Sequence, residues 1–267
     1  MCLILWAYQR HPRYRLILAA NRDEFYARPS LPVGYWPDHP QVIGGRDLTA
    51  GGTWMAVSRT GRVAAITNYR DPAANNPAAR SRGELVAGFA SGAESPTGYL
   101  NQVARHRQAY NGFNLMVADA AEMGYLGSRQ GLVRRLEPGI YGLSNHLLDT
   151  DWPKVAGARA DLERLVAEDA ASPENLLDLL CDRRQPPDAE LPETGVGLEW
   201  ERLLAPRFIV SENYGTRSST VLFLEHRGCA AIWEWTFEPG CDPPRITHRR
   251  FFRFTITDVD YARCLPS

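Results

Sequence analysis

Short apolar runs rich in β-branched and aromatic residues open the chain. The first two cover residues 2–8 and 14–20, and the polar segment between them contains a proline and is typical of a turn. This pattern predicts a β-hairpin, with the segment 21–24 lying where its second strand ends. A second hairpin is predicted from residues 53–58 and 62–68, which flank a Thr-Gly pair.

Helices are predicted where capping residues precede apolar residues at helical spacing. Ser81-Arg82-Gly83-Glu84 has the spacing of a capping box, and Ser95-Pro96 combines a cap with a first-turn proline. The predicted helices cover residues 81–91, 95–106, 153–166 and 172–180, and further strands are predicted at residues 113–118, 123–126, 132–136, 140–144, 220–225, 230–237 and 246–256. This order predicts pairs of helices on the outer faces of stacked sheets, within a single domain.

Two long segments follow neither period. Residues 25–52 are dense in proline and glycine and are predicted to be irregular. Residues 183–200 are rich in proline, glutamate and glycine, and we interpret them as a surface loop or a lid, not as a linker between domains.

Composition excludes several classes of protein. The 267 residues carry 30 basic and 31 acidic side chains, so the net charge is -1, and neither sign forms a long run. The sequence therefore favours a small-molecule partner over nucleic acid or an anionic lipid surface. No apolar stretch reaches the roughly 20 residues of a transmembrane helix, and the N-terminal run lacks the basic flank of a secretion signal, so a cytoplasmic location is expected.

Residues that could bind metals or phosphates are scattered. The cysteines form no CxxC pair and are expected to be reduced thiols: Cys2, Cys181, Cys229, Cys241 and Cys264. The six histidines show no HxxxH or HExxH spacing, although His146 lies beside an asparagine at a predicted strand end. No glycine-rich phosphate loop follows a strand, so we expect neither a metal nor an organic cofactor.

Cys2 is the strongest candidate for chemistry. If Met1 is removed, which a small second residue permits, Cys2 carries a thiol and a free α-amine, a nucleophile beside its own base. The reference pKa of an α-amine is near 8, so this group can accept a proton at cellular pH. The alternative is that Cys2 only packs at the start of an apolar strand.

Several motifs resemble those of the NRDE family, also called the transport-and-Golgi-organisation family. They are Met1-Cys2-Leu3-Ile4, Asn21-Arg22-Asp23-Glu24-Phe25, Gly51-Gly52-Thr53-Trp54, Thr67-Asn68-Tyr69-Arg70 and Leu143-Ser144-Asn145. The resemblance covers nearly the whole chain. More distantly, the sequence is similar to cysteine N-terminal-nucleophile hydrolases of the bile-salt hydrolase and penicillin V acylase type. This resemblance implies an α+β fold, a four-layered αββα sandwich.

The resemblance also implies roles for five residues. Cys2 would be the nucleophile, and Asp23 would hold its α-amine by a charge-assisted hydrogen bond. Asn68 and Asn145 would stabilise the oxyanion of a tetrahedral intermediate, and Arg217 matches a late arginine near the cysteine. Each has a structural alternative: the Asx residues could close turns, and the arginine could form a surface ion pair.

One position departs from the acylase pattern. The acylases carry an arginine directly before the asparagine of the second-strand motif, whereas this chain has Ala20 there and places its arginine at Arg22. From strand alternation we expect Arg22 to point away from the nucleophile, so the guanidinium that would lower the pKa of the thiol is expected to be missing.

Two functions follow as hypotheses. The first is hydrolysis of a carbon-nitrogen amide bond in a small acylated molecule, without metal or cofactor. The second, implied by the family resemblance and favoured by the missing arginine, is a binding or trafficking protein for haem or for acyl-CoA and lipid, without turnover. A structural subunit is a third, less supported alternative.

Overall fold

Two antiparallel sheets form the centre of the computed structural model, which describes residues 2–257. The strands of the six-stranded sheet, in spatial order, are β10 (Gly139–Leu143), β1 (Cys2–Tyr8), β2 (Tyr14–Phe25), β11 (Tyr214–Glu225), β12 (Cys229–Phe237) and β13 (Ile246–Thr255). Those of the seven-stranded sheet are β3 (Ser30–Tyr35), β4 (Val42–Asp47), β5 (Met55–Ser58), β6 (Val63–Asn68), β7 (Phe113–Ala118), β8 (Met123–Gly127) and β9 (Leu132–Arg135).

Helices cover the outer face of each sheet. Between residues 2 and 257 the α-helices are α1 (Gly83–Ser91), α2 (Pro96–His106), α3 (Pro153–Ala167), α4 (Pro173–Leu180) and the short α5 (Leu198–Leu204). Helices α1 and α2 pack on the seven-stranded sheet, whereas α3 and α4 pack on β1, β2, β10 and β11 of the other. The result is a four-layered αββα sandwich, so the predicted fold class is confirmed.

Alternation along the strands supplies the apolar layers. In β1, Ile4 and Trp6 face the space between the sheets, whereas Leu3 and Leu5 pack against α3 and α4. Because side chains of a strand point alternately to its two faces, a nearly continuous apolar run is needed where both faces are covered. A third cluster, which includes Phe89 of α1, lies beneath the other pair of helices.

Both predicted hairpins are present, but β2 is longer than expected. It continues to Phe25 because β11 pairs with it along its length, from Tyr14 to Phe25. Segment 21–24, predicted to lie where this strand ends, therefore forms its last residues before Phe25. Polar residues can stay in the middle of this sheet because their side chains find buried hydrogen-bond partners, as Asn21 does with the carbonyls of Leu180 and Arg207.

Strands β3 and β4 lie within the segment 25–52, which we predicted to be irregular. Strand β3 is an edge strand and so tolerates Pro32, which cannot donate a ladder hydrogen bond. In β4, an added Cβ at Gly45 would lie 2.2 Å from the ring of Trp54, so glycine is required for packing there. Segment 183–200 likewise contains the first residues of α5.

The predicted helix starts are only partly correct. Ser95 caps α2 by accepting a hydrogen bond from the Gly98 N–H, whereas no side chain caps α1, which begins after Arg82. None of the helices between residues 2 and 257 is both long and apolar enough to cross a membrane. The four cysteines within these residues are free thiols, and Met1 and Cys264 lie outside them.

Candidate functional site

Cys2 and Arg22 are directly opposed on neighbouring strands. The antiparallel register of β1 and β2 pairs them, and Cys2 lies on the same face of its strand as Ile4 and Trp6. At this end of the sandwich the space between the sheets opens into a cleft of about 350 Å³. Its lining includes Cys2, Arg22, Asp23, Trp54, Asn68 and Arg82.

The expectation that Arg22 points away from the nucleophile is wrong. Ala20 belongs to the core between the sheets, and because positions 20 and 22 are two residues apart in one strand, they share a face. The Arg22 guanidinium lies over the Trp54 indole at 4.3 Å from the ring centroid and lines the cleft. Its charge lowers the pKa of the Cys2 thiol. Arg22 therefore lies on the same side of the sheet as Cys2, although the acylase pattern has its arginine at the position of Ala20.

The Cys2 thiol is nevertheless held above its ordinary pKa. Burial is the main cause, and the Asp23 carboxylate also raises the pKa. Arg22 and a hydrogen bond from the Asp23 backbone N–H act in the opposite direction without cancelling it. The thiol is therefore neutral at neutral pH, and any nucleophilic role requires a base.

Asp23 extends its side chain to the other face of β2, towards the helices. We call this side, where the sheet packs against α3 and α4, the rear face. Asp23 is buried, and the Thr216 hydroxyl donates to its Oδ1 at 2.7 Å. Burial raises the pKa of the carboxyl, whereas the nearby Lys154 and the Thr216 hydrogen bond lower it.

The two predicted asparagines have different surroundings. Asn68 ends β6 and lines the cleft, whereas Asn145 is fully buried and is not part of the lining. Asn145 Nδ2 donates to the Asn68 carbonyl at 2.9 Å, and Ser144 Oγ donates to the Cys2 carbonyl at 3.0 Å. Asn145 therefore supports the strand end that carries Asn68.

Arg217 is not brought to the cleft. It occupies the bulge at which the β2–β11 register shifts, opposite Arg22 and Asp23. Its Nη1 donates to the carbonyls of Phe25, Tyr26 and Arg28 at 3.0 to 3.1 Å. The arginine thus fixes the chain after β2 through backbone carbonyls, which differs from the surface ion pair considered as its structural alternative.

The motif Gly51-Gly52-Thr53-Trp54 builds one wall of the cleft. An added Cβ at Gly52 would lie 2.4 Å from the carbonyl carbon of Gly83, at the start of α1. Gly51 has a φ of 76°, which favours glycine. This close approach of two backbones sets Trp54 half-buried beneath Arg22, so the tight turn also positions a cleft residue.

His146 lies behind the site. Its ring packs between Tyr69 and Trp152, its Nδ1 is 2.9 Å from the Thr150 hydroxyl, and burial lowers its pKa. It does not line the cleft. Within residues 2–257, no three His, Cys, Asp or Glu side chains are grouped so that they could hold a metal ion.

Sequence reasoning missed a buried charged group on the rear face. Arg70 Nη1 lies 2.5 Å from Glu201 Oε2, and both side chains are buried. Lys154 is buried beside them, and its Nζ donates to the Leu204 carbonyl at 2.7 Å. Lys154 is also the only lysine in the sequence, a signal that could have identified it.

Comparisons with solved structures concern the fold. Two variants of the conjugated bile acid hydrolase from Clostridium perfringens superimpose with TM-scores of 0.50 and 0.51, over 96% of this chain and 98% of theirs. Their sequence identity of 9% limits the likeness to the fold.

Sequence comparisons identify the family. The Transport and Golgi organization protein 2 homolog of Bos taurus is 38% identical over 270 residues, which cover 92% of this chain and 96% of the relative. The human homolog is 36% identical over 88% of this chain and 92% of its own length. The model of the family described as Transport and Golgi organisation 2 matches residues 1–239, and the chain therefore belongs to that family.

Proposed function

We propose that this protein is a cysteine N-terminal-nucleophile hydrolase that cleaves the carbon-nitrogen amide bond of a small acylated molecule. The opposed pair Cys2 and Arg22 in the cleft is the observation that carries this proposal. The guanidinium across from the thiol and the Asp23 N–H that donates to its sulfur both favour the thiolate, and because burial still raises the thiol pKa, the proposal includes a base beside the sulfur.

The proposed cycle begins with removal of Met1, which leaves Cys2 with a free α-amine. The amine takes the thiol proton, and Asp23 provides the counter-charge for the ammonium that forms. The sulfur attacks the amide carbonyl carbon, and the Asn68 side chain donates to the resulting oxyanion. Collapse breaks the carbon-nitrogen bond, the leaving amine takes the proton, and water hydrolyses the thioester to release the acid and restore the thiol.

Asn145 has an indirect role in this proposal. Because its Nδ2 is already used by the Asn68 carbonyl, it orients the strand end that carries the oxyanion donor. Arg217 would likewise act through the chain after β2, which it holds in place.

The cleft lining favours a polar substrate. Arginine, asparagine and acidic side chains outnumber apolar ones, which include Trp54, Ile66 and Pro77. A haem or a long acyl chain would find few apolar contacts at this site, so the lining gives the carrier hypothesis little support.

Turnover of a panel of short N-acyl amides tests the proposal. Wild type, Cys2→Ala and the matched surface variant Cys241→Ala are incubated with the panel, and released amine is quantified by liquid chromatography and mass spectrometry. We expect release by wild type and Cys241→Ala and none by Cys2→Ala. No release by wild type that lacks Met1, or equal release by Cys2→Ala, would overturn the proposal, and a Soret band on haem titration would then favour the carrier.

A further inference from the structure

Arginines are prominent in the lining of the cleft. Within residues 2–257, the arginines that border it are Arg22, Arg28, Arg80 and Arg82. Two of them are neutralised by carboxylates. Arg28 Nη2 lies 2.7 Å from Asp47 Oδ2, and its Nε lies 3.8 Å from Glu24 Oε2. Arg80 Nη2 lies 2.5 Å from Glu84 Oε1. These two guanidinium groups therefore need no ligand to balance their charge.

Arg22 and Arg82 differ from this pair, because neither forms an ion pair within residues 2–257. Arg22 is only 5% exposed, lies over the Trp54 ring and has its Nη1 3.5 Å from the Ser30 hydroxyl. Arg82 is half-buried, and its Nη1 donates to the Gly112 carbonyl at 3.1 Å. Since a guanidinium carries five N–H groups, both side chains are held in place and still have donors for a ligand.

Acidic residues of the lining do not offset these two charges by direct contact. Glu24 and Asp47 both contact Arg28, and Asp23 extends its side chain to the rear face. Burial lowers the pKa of Arg82, and the charge of Glu24 raises it without an ion pair between the two. An arginine stays protonated in proteins, so the cleft keeps positive charge that no carboxylate contacts.

The two arginines border the cleft from different layers of the sandwich. Arg22 belongs to β2 of the six-stranded sheet, whereas Arg82 precedes α1, which packs on the seven-stranded sheet. A short path connects them: the Thr53 N–H donates to the Gly83 carbonyl at 3.3 Å, and Trp54, the next residue, lies beneath Arg22. Both guanidinium groups are therefore within reach of one small ligand in a cleft of about 350 Å³.

The start of α1 adds to the positive potential. Gly83, its first residue, lines the cleft, and no side chain caps the helix. The first N–H groups of a helix lack intrahelical partners and carry the positive end of its dipole. A cation that is buried without a counter-charge is costly, so the retention of Arg22 beside this helix start indicates that a ligand supplies the anion.

We infer that Arg22 and Arg82 form an anion subsite in the cleft, so that the amide substrate also carries a carboxylate or a phosphate group. A guanidinium binds either group through paired, charge-assisted hydrogen bonds. The inference rests on the proposed function for the ligand's being a substrate, but binding of the anion can be measured without turnover.

Binding of small amides to Cys2→Ala tests the subsite, because this variant lacks the proposed nucleophile. NMR titrations compare N-acetylglycine and N-acetylphosphoethanolamine with the neutral N-acetylglycinamide. We expect at least one of the two anions to bind about tenfold more tightly than the neutral amide, with a difference that shrinks as salt is added. The anion that binds more tightly identifies the charged group. Equal affinity for all three compounds, or no binding of either anion, would overturn the inference.

Substitution of Arg82 in the Cys2→Ala background tests its part in the subsite. With Arg82→Met we expect the anion to bind about tenfold more weakly and the neutral amide to bind as before, which also shows that the cleft is intact. Arg82→Lys keeps the charge and should lose less affinity. The matched Arg80→Met, whose guanidinium is exposed and paired, should change anion binding less than about threefold. Unchanged anion binding in Arg82→Met, or an equal loss for the neutral amide, would show that Arg82 is only structural.

Hydrolysis by wild type separates this inference from the proposed function. Release of amine from anionic and neutral amides with equal kcat/KM would refute the anion subsite and leave the proposed function in place. Binding of the anions without hydrolysis of any amide would refute only the proposed function.

Discussion

The two faces of the six-stranded sheet differ sharply at its Cys2 end. On the side of the cleft, Cys2 and Arg22 border open space, and the arginine is held mainly by the Trp54 ring. On the rear face, Asp23 and Lys154 are buried and are held by segment 201–209. Neighbouring residues of β2 thus have different surroundings: Arg22 borders the open cleft beside Cys2, and Asp23 is buried behind the strand.

The rear face should be the more sensitive to the loss of a single charge. Arg70→Met would leave Glu201 buried without its cation, and we expect the free energy of unfolding to fall by about 3 to 5 kcal/mol. Urea denaturation measures this. The double variant Arg70→Met/Glu201→Leu should recover most of the loss, and Arg80→Met, which breaks the exposed pair with Glu84, should cost less than about 1 kcal/mol. If Arg70→Met also lowered the free energy of unfolding by less than about 1 kcal/mol, the rear face would be no more sensitive to the loss of a charge than the exposed pair.

A buried carboxyl on the side between the sheets gives a second, pH-dependent contrast. Glu234 of β12 accepts from the Val33 N–H at 2.7 Å, and burial raises its pKa to about 7. Since the folded-state pKa lies above the unfolded value, this group stabilises the protein fully below about pH 4.5, and the contribution is lost as pH rises through 7.

Relative to Glu234→Gln, wild type should therefore lose roughly 3 kcal/mol of stability between these pH values. Urea denaturation at pH 5 and pH 8 tests this for both proteins. Parallel pH dependence of the two would mean that Glu234 is not held in its neutral form by the fold.

Arg22 should matter more for reactivity than for stability. Its interaction with Trp54 is worth about 1 kcal/mol, so Arg22→Met should unfold only slightly more easily. The pKa of the Cys2 thiol should rise, and alkylation of Cys2 at pH 7 should slow, because the positive charge across the ladder is gone. Arg22→Lys keeps the charge and should react faster than Arg22→Met. Equal alkylation rates for all three proteins would contradict a role for the guanidinium.

Much of the fold was predictable, because strand and helix periods dominate most of the chain. The failures have local causes. Strand β3 was not predicted because it contains a proline, which an edge strand tolerates. Strand β4 was not predicted because it contains glycines, one of which the packing of Trp54 requires. The end of β2 was misplaced because its polar residues are satisfied by partners distant in sequence, such as Leu180 and Thr216.

The candidate site was predictable where strand alternation was applied correctly. Cys2 and Asn68 line the cleft, Asp23 follows Arg22 in β2 with its side chain on the rear face, and Arg22 was assigned to the wrong face. The sequence gives no signal of the β-bulge that keeps Arg217 away from the cleft. Arg70 and Glu201 meet only in three dimensions, since 131 positions separate them along the chain. Lys154 alone carried a compositional signal.

Intact mass of the purified protein, before and after a thiol-reactive acyl probe, shows whether Cys2 is a reactive N-terminal residue. We expect loss of the Met1 mass and a single adduct, which persists in Cys241→Ala and vanishes in Cys2→Ala. A retained Met1, or labelling that does not depend on Cys2, would contradict an N-terminal nucleophile at this site.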